Sequence, residues 1–140
     1  MQLALAYVVT LIVFGGVDLA WLTTMGAALY RPILGDILLQ TPRIAPVIAF
    51  YALFPVGIVA FAVNPALKTD SIMTAAGYGL LFGAIAYATY DLTNYATLRN
   101  WNLNITIIDI VYGGFASAAA ATLAILAVQH APQWLGGAPG

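Results

Sequence analysis

Three aspartates lie inside long apolar stretches of the sequence, where a carboxyl group can bind a proton, a cation or the polar group of a ligand. They are Asp18, Asp91 and Asp109, three of the five acidic residues in the chain. An ionisable side chain at the centre of a bilayer costs about 2.5–3.5 kcal/mol on insertion scales. We therefore expect each of these carboxyl groups to have a function or a specific partner.

Polar and aromatic residues accompany the aspartates at helical spacing, three or four positions away. The predicted ligand-binding residues are Asp18, Trp21, Tyr87, Asp91, Asn94, Tyr95, Thr106, Asp109 and Tyr112. Their three polar faces should turn toward one another, because a polar face in lipid would stay unsatisfied. Arg31 and Arg99 are candidate counter-charges, although residues at the ends of spans are often plain interface anchors.

Two interpretations of this cluster remain open. In the functional one, the aspartates line a polar cavity, since carboxyl groups crowded together in a low dielectric cannot all ionise without a cation. In the structural one, each is hydrogen-bonded to tyrosine, asparagine or threonine and fixes helix packing. An oxygen-ligated metal site is chemically allowed, but no ligand-spacing motif supports one, so we predict neither a metal nor a cofactor.

The elements that must position these residues are membrane spans. Hydrophobic residues make up 63% of the 140 and charged residues only 6%, against about 25% charged in a typical soluble domain. Apolar runs predict four spans over approximately 3–29, 44–63, 72–98 and 105–128, with a short interfacial helix over 32–40. The predicted fold is an all-α, single-domain transmembrane four-helix bundle over residues 1–140.

Details of the spans lead to further expectations. Asp70 or Ser71 should cap the third span and Asn104 the fourth. The second span has no charge and is predicted to be scaffold, with Tyr51 a packing residue. Gly79 and Gly83 indicate close packing of the third span, within one bundle or in a homodimer.

The predicted spans also place the three carboxyl groups in the same third of the bilayer. If span one ends near Met25, Asp18 lies roughly 10 Å from that end, Asp91 lies at a similar distance from the end of span three, and Asp109 lies roughly 7 Å from the start of span four. Those ends face loops one and three. Three arginines in these loops, against Lys68 in loop two, predict that loops one and three are cytoplasmic and both termini lie outside.

Several classes of function are excluded. A net charge of −1 without a basic cluster argues against nucleic acid as a partner. The chain contains no cysteine, which removes disulfides and thiol chemistry. His130 lies roughly 20 Å along the last span from Ser117, too far for a Ser-His hydrolase. The remaining partners are the lipid bilayer and an unidentified small-molecule or lipid ligand.

The segment Tyr90-Asp91-Leu92-Thr93-Asn94-Tyr95-Ala96-Thr97-Leu98, followed by Trp101, Asp109 and Gly113-Gly114, resembles a known family. So do Asp18-Leu19-Ala20-Trp21-Leu22 and Tyr30-Arg31-Pro32. It is the bacterial membrane-protein family catalogued as domain of unknown function 2177, and the resemblance covers nearly the whole chain. It implies a small four-span protein of the inner membrane, and it supplies no established activity.

The leading functional hypothesis is that the cluster binds a proton or cation and couples it to the transport of a small molecule. An intramembrane enzyme acting on a lipid, with Asp91 or Asp109 as acid or base and Tyr95 or Asn94 orienting the substrate, is the second. An accessory or scaffold membrane protein is the third. Because no nucleophile or redox group stands out, an enzyme is the less favoured interpretation.

Overall fold

The computed structural model describes residues 1–139 and contains four long helices within that range. We number them α1 (Gln2–Leu34), α2 (Ile44–Thr69), α3 (Ile72–Thr97) and α4 (Leu103–His130). Each is long and apolar enough to cross a bilayer, which requires about 20 residues. The predicted all-α, membrane-spanning four-helix bundle is confirmed, and the chain is an integral membrane protein.

Helix α1 extends further than the sequence predicts. It passes through a π-helical turn at Gly26–Tyr30 into a last α-helical turn at Arg31–Leu34. The expected interfacial helix over 32–40 is therefore observed as the end of α1 followed by a turn at 35–37 and an irregular segment to Arg43. The π turn explains the continuity, because it rearranges the backbone around Ala28, whose carbonyl would otherwise meet the ring of Pro32.

Helix α2 repeats this arrangement. Its π-helical turn at Val59–Val63 is centred on Phe61, four residues before Pro65. Val59, Ala62 and Val63 are buried, so the second half of α2 packs into the bundle. Its first seven residues, 44–50, are all exposed.

Large aromatic rings hold the first half of α2 away from α1. The ring of Phe14 stacks on that of Phe54 at a centroid distance of 4.6 Å and meets the edge of Phe50 at 6.1 Å. Rings of this size at an interface keep helix backbones further apart than small residues do. Beyond these rings a cavity lies between α1 and the first half of α2, and we call this space the gap between the two helices.

Helices α3 and α4 form the closest pair in the bundle. A Cβ atom at Gly79 would lie 2.9 Å from the carbonyl oxygen of Ser117, and one at Gly83 would overlap Ser117 and the carbonyl of Gly113. The predicted close packing of the third span is confirmed, within one bundle. In the most apolar 18-residue segment of α4, 44% of the residues are buried, against 17–22% in the corresponding segments of the other three helices. Helix α4 is therefore the central helix.

Side-chain caps begin the last two helices. Ser71 Oγ accepts a hydrogen bond from the Thr74 amide at 3.1 Å, as predicted for α3. For α4 the prediction of Asn104 is wrong, because Asn102 Oδ1 accepts from the Ile105 amide at 3.0 Å. Asn102 has the extended backbone that a cap requires, whereas Asn104 already lies in the first helical turn.

Candidate functional site

The carboxyl group of Asp91 is the least satisfied polar group in the described part of the chain. Its side chain is 0% exposed, and within residues 1–139 neither carboxyl oxygen accepts a hydrogen bond. Its polar neighbours are the carboxyl group of Asp109, the indole of Trp101 and the hydroxyl of Tyr90. Trp101 Nε1 is also buried without an acceptor among those residues. Such groups are costly in a native protein and call for an explanation.

Asp109 faces Asp91 from α4 and is itself held by two tyrosines. It is 2% exposed. The hydroxyl of Tyr30 donates a short hydrogen bond to Asp109 Oδ1, and the hydroxyl of Tyr90 donates to Oδ2 at 3.4 Å. Asp91 and Asp109 thus form a buried carboxyl pair, satisfied on the Asp109 side and unsatisfied on the Asp91 side.

Asp18 lies outside this pair and has its own partners. Tyr112 donates to Asp18 Oδ1 at 2.8 Å, and Tyr51 donates a short hydrogen bond to Oδ2. Tyr112, which holds Asp18, is three residues or roughly 4.5 Å further into α4 than Asp109. We refer to Asp18 with its tyrosines and to the pair Asp91–Asp109 as the two levels of the site.

Trp21 and Tyr30 connect the two levels. The indole of Trp21 stacks on the ring of Tyr112 at 4.0 Å, with 7° between the planes. Trp21 Nε1 donates to the hydroxyl of Tyr30 at 2.9 Å, and that hydroxyl donates to Asp109. A continuous series of contacts therefore runs from Asp18 through Tyr112, Trp21 and Tyr30 to the carboxyl pair. The π turn matters here, because it carries Tyr30.

Two cavities adjoin these residues. The first, which we call the aromatic cavity, has a volume of about 460 Å³ and lies over Asp18. Its lining consists mainly of aromatic and aliphatic side chains: Asp18, Trp21, Leu22, Tyr30, Pro46, Val47, Phe50, Tyr51, Tyr87, Tyr90 and Tyr112. The second, the loop cavity, measures about 420 Å³ and includes Asp109, Arg31 and Trp101. Leu22, Tyr30 and Tyr90 border both.

The structure brings only some of the predicted site residues together. Tyr87 is buried against Tyr112 and borders the aromatic cavity with Asp18 and Trp21. Arg31 is exposed and borders the loop cavity with Asp109.

The other predicted residues lie apart from the site. Tyr95 is 45% exposed and Asn94 is half-buried. Four residues make slightly more than one helical turn, so side chains spaced by four residues rotate gradually around the helix and point outward beyond Asp91. Thr106 donates to the carbonyl of Asn102 in its own helix at 2.9 Å. Arg99 is exposed and borders a separate surface depression with Asp36 and Asn100.

Three tyrosines of the site were not among the predicted ligand-binding residues. Tyr51 was expected to be a packing residue in a scaffold span, and the structure adds that its hydroxyl donates a hydrogen bond to Asp18. Tyr30 and Tyr90 hold Asp109. The sequence of an apolar span does not distinguish a tyrosine that binds a carboxyl group from one that only packs. The signals that could have indicated these residues were the position of Tyr90 next to Asp91 and that of Tyr30 next to Arg31-Pro32.

Metal ligation has no geometric support in the described residues. Within 1–139, no group of three or more histidine, cysteine or acidic side chains lies close enough to hold a metal ion. The separation of Asp18 from the carboxyl pair accounts for this.

Fold and site together define a small polytopic α-helical membrane protein with buried carboxyl groups on the side of loops one and three. The model of the predicted membrane protein family, domain of unknown function 2177, matches residues 3–126. The chain belongs to this family, as its sequence resemblance indicated. No curated protein and no solved structure gives a significant match.

Proposed function

We propose that the protein binds a proton or a monovalent cation at the pair Asp91–Asp109 and couples its release to the transport of a small molecule bound over Asp18. The main observation is that the carboxyl group of Asp91 is fully buried, accepts no hydrogen bond among residues 1–139 although the indole of Trp101 and the hydroxyl of Tyr90 lie beside it, and faces a second carboxyl group. Two carboxyl groups in this arrangement cannot both carry a charge unless a cation close by compensates for one of them. The pair therefore holds one proton or one cation.

Asp91 differs from an aspartate that only fixes helix packing. An aspartate that only fixes packing has both carboxyl oxygens hydrogen-bonded, whereas neither oxygen of Asp91 accepts a hydrogen bond among residues 1–139. An unsatisfied buried carboxyl group costs about 1–3 kcal/mol or more. Retaining such a group is consistent with a site that exchanges its occupant, since a permanently satisfied group has no occupant to release.

The contacts between the two levels supply a route for coupling. Tyr30 donates to Asp109 and accepts from Trp21, and Trp21 stacks on the Tyr112 ring that holds Asp18. A change of charge at the carboxyl pair changes the acceptor of Tyr30, and this shifts the position of Trp21 over Asp18. Tyr30 ends a π turn, a type of irregularity often found at functional sites in helices.

Infrared spectroscopy of the protein in lipid nanodiscs tests the occupant of the pair. A proton site gives the carbonyl stretch of a protonated carboxylic acid at neutral pH, and Asp91→Asn removes that band. A cation site gives the band only in buffer free of sodium and potassium. Asp70→Asn is the matched control, because Asp70 lies at the opposite end of the bundle with a left-handed backbone that asparagine tolerates. A spectrum unchanged by Asp91→Asn under both conditions contradicts the proposal.

The loop cavity favours a second candidate, an intramembrane enzyme acting on a lipid headgroup. Arg31 and Asp109 border this cavity together, so one group is available for a phosphate and one for proton transfer. Incubation of the purified protein with defined phospholipids, followed by mass spectrometry of the lipids, tests it. A product formed by the wild type and lost in Asp109→Asn supports the enzyme, and unchanged lipids exclude the phospholipids that were tested.

A further inference from the structure

The rim of the aromatic cavity includes apolar side chains on the outer face of the bundle. Among its lining residues, Leu22, Val47 and Phe50 are 47%, 38% and 39% exposed, and all lie within membrane-spanning helices. They border the gap between α1 and the first half of α2. A molecule dissolved in the bilayer can reach this opening without crossing the headgroup region a second time.

The interior of the cavity combines ring faces with one carboxyl group. Trp21 and Tyr112 lie stacked beside Asp18, and Tyr51 and Tyr87 complete the aromatic lining. Tyr51 and Tyr112 each donate one hydrogen bond to Asp18, so two of the roughly four acceptor positions of the carboxylate remain for a ligand. The rings favour a cation over their faces, and the aliphatic lining favours an apolar body.

We propose that the aromatic cavity binds an amphiphilic ammonium compound, with an apolar body and an N–H-bearing cationic end, taken from the lipid phase through the gap between α1 and α2. This inference rests on the proposed function, for which it names the class of the transported molecule. The ammonium group lies at Asp18, donates to its free acceptor positions and faces the rings. A volume of about 460 Å³ accommodates a small molecule, since ligand cavities range over about 300–1,000 Å³.

Charge complementarity distinguishes the ammonium from other amphiphiles. In a medium of low dielectric constant an ammonium donates a charge-assisted hydrogen bond to the carboxyl group of Asp18, a neutral alcohol donates a weaker one, and an anionic end is disfavoured beside a carboxyl group. A charge-assisted hydrogen bond contributes about 1.5–3 kcal/mol, which corresponds to at least about tenfold in affinity. The cavity should therefore rank ammonium above alcohol and alcohol above carboxylate.

The test uses three dodecyl probes that differ only at the end, as ammonium, alcohol or carboxylate, each with a nitroxide label close to that end. Binding to protein in phosphatidylcholine nanodiscs is followed as saturable quenching of tryptophan fluorescence, and Trp21→Phe identifies the component that comes from the cavity. We expect the ammonium probe to saturate at about tenfold lower concentration than the alcohol. We expect Asp18→Asn to remove this preference and Asp70→Asn to retain it.

Equal affinities for ammonium and alcohol, a preference that survives in Asp18→Asn, or no saturable quenching by any probe would each overturn the proposal. If Asp18→Asn does not fold, Val47→Phe provides the test, because the larger side chain narrows the entrance between α1 and α2 while Asp18 is unchanged. Loss of ammonium binding in this variant supports the proposal, and unchanged binding overturns it. Failure here is distinct from failure of the carboxyl pair, since Asp91→Asn should leave ammonium binding measurable whatever occupies the pair.

Discussion

The two ends of the bundle are built in opposite ways. At the end that contains both termini and the α2–α3 turn, small residues form the interior: Ala6, Ala62, Ala75, Ala120 and Ala124 are all 0% exposed, and the cavity at this end lies among surface residues such as Gln2, Asp70 and Gln129. At the end that contains loops one and three, large aromatic rings surround two cavities and the buried carboxyl groups. We call these the packed end and the open end.

The difference shows how a chain of this size can combine a rigid fold with an irregular site. In a bilayer, helices associate by close packing of small residues, since lipid provides little hydrophobic force between them. The packed end supplies this association, and Gln129 ties α4 to Asp70 there with a hydrogen bond of 2.8 Å. The open end can then carry unsatisfied polar groups and cavities, which lower stability wherever they occur.

The largest expected effect belongs to the packed end. Gly83→Leu drives a side chain into Ser117 and the backbone of Gly113, so we expect a loss of about 3 kcal/mol or more, or no folded protein. Gly77→Leu is the matched control on the same helix, because a Cβ atom at Gly77 has nothing within 4 Å. Circular dichroism during thermal unfolding in detergent measures both variants. Equal melting temperatures would show that α3 and α4 do not depend on this contact.

The next largest effects concern two aspartates of the open end, where we expect substitutions to change the stability of the protein in opposite directions. Asp18→Ala leaves the hydroxyls of Tyr51 and Tyr112 without their acceptor, which should cost about 2–4 kcal/mol. Asp91→Asn removes an unsatisfied carboxyl group and introduces a donor facing Asp109, which should stabilise the protein by about 1–2 kcal/mol. The same thermal unfolding measurement applies. A lower melting temperature for Asp91→Asn would mean that this residue fixes packing.

Coupling between the two levels should depend on the hydroxyl of Tyr30. A coupling free energy of about 1 kcal/mol predicts that Asp91→Asn changes the affinity for the ammonium probe by about fivefold. In a Tyr30→Phe background the change should be under about twofold, because the hydrogen bonds to Trp21 and Asp109 are lost. The quenching assay compares the four proteins. A fivefold change that persists without the hydroxyl would place the coupling elsewhere.

The smallest expected effect concerns the start of α4, which carries Asp109. Asn102→Ala removes the cap on the Ile105 amide and should cost about 1 kcal/mol, whereas Asn104→Ala should cost less than about 0.5 kcal/mol. Chemical denaturation in mixed micelles resolves the pair of variants. A larger loss of stability in Asn104→Ala than in Asn102→Ala would indicate that Asn104 caps the helix, as the sequence pattern predicts.

The sequence predicts the packed end better than the open end. Apolar runs locate all four helices, and Gly79 and Gly83 indicate the α3–α4 contact, because these features depend on composition and spacing alone. The extended α1 and its π turn depend on how the backbone accommodates Pro32, which spacing does not reveal. Asp18 therefore lies further from the end of its helix than expected, and Tyr51 holds it although nothing in the sequence of α2 distinguishes Tyr51 from a packing residue.

The most direct test of coupling is proton release on ligand binding. The ammonium probe is added to nanodisc-embedded protein in weakly buffered solution with a pH indicator. A cation bound at Asp18 should expel a proton from the pair Asp91–Asp109, so we predict release approaching one proton per chain in the wild type and in Asp70→Asn, and none in Asp91→Asn. Saturable probe binding with no proton release from the wild type, in a protein whose carboxyl band shows the pair to be protonated, would contradict coupling between the two sites.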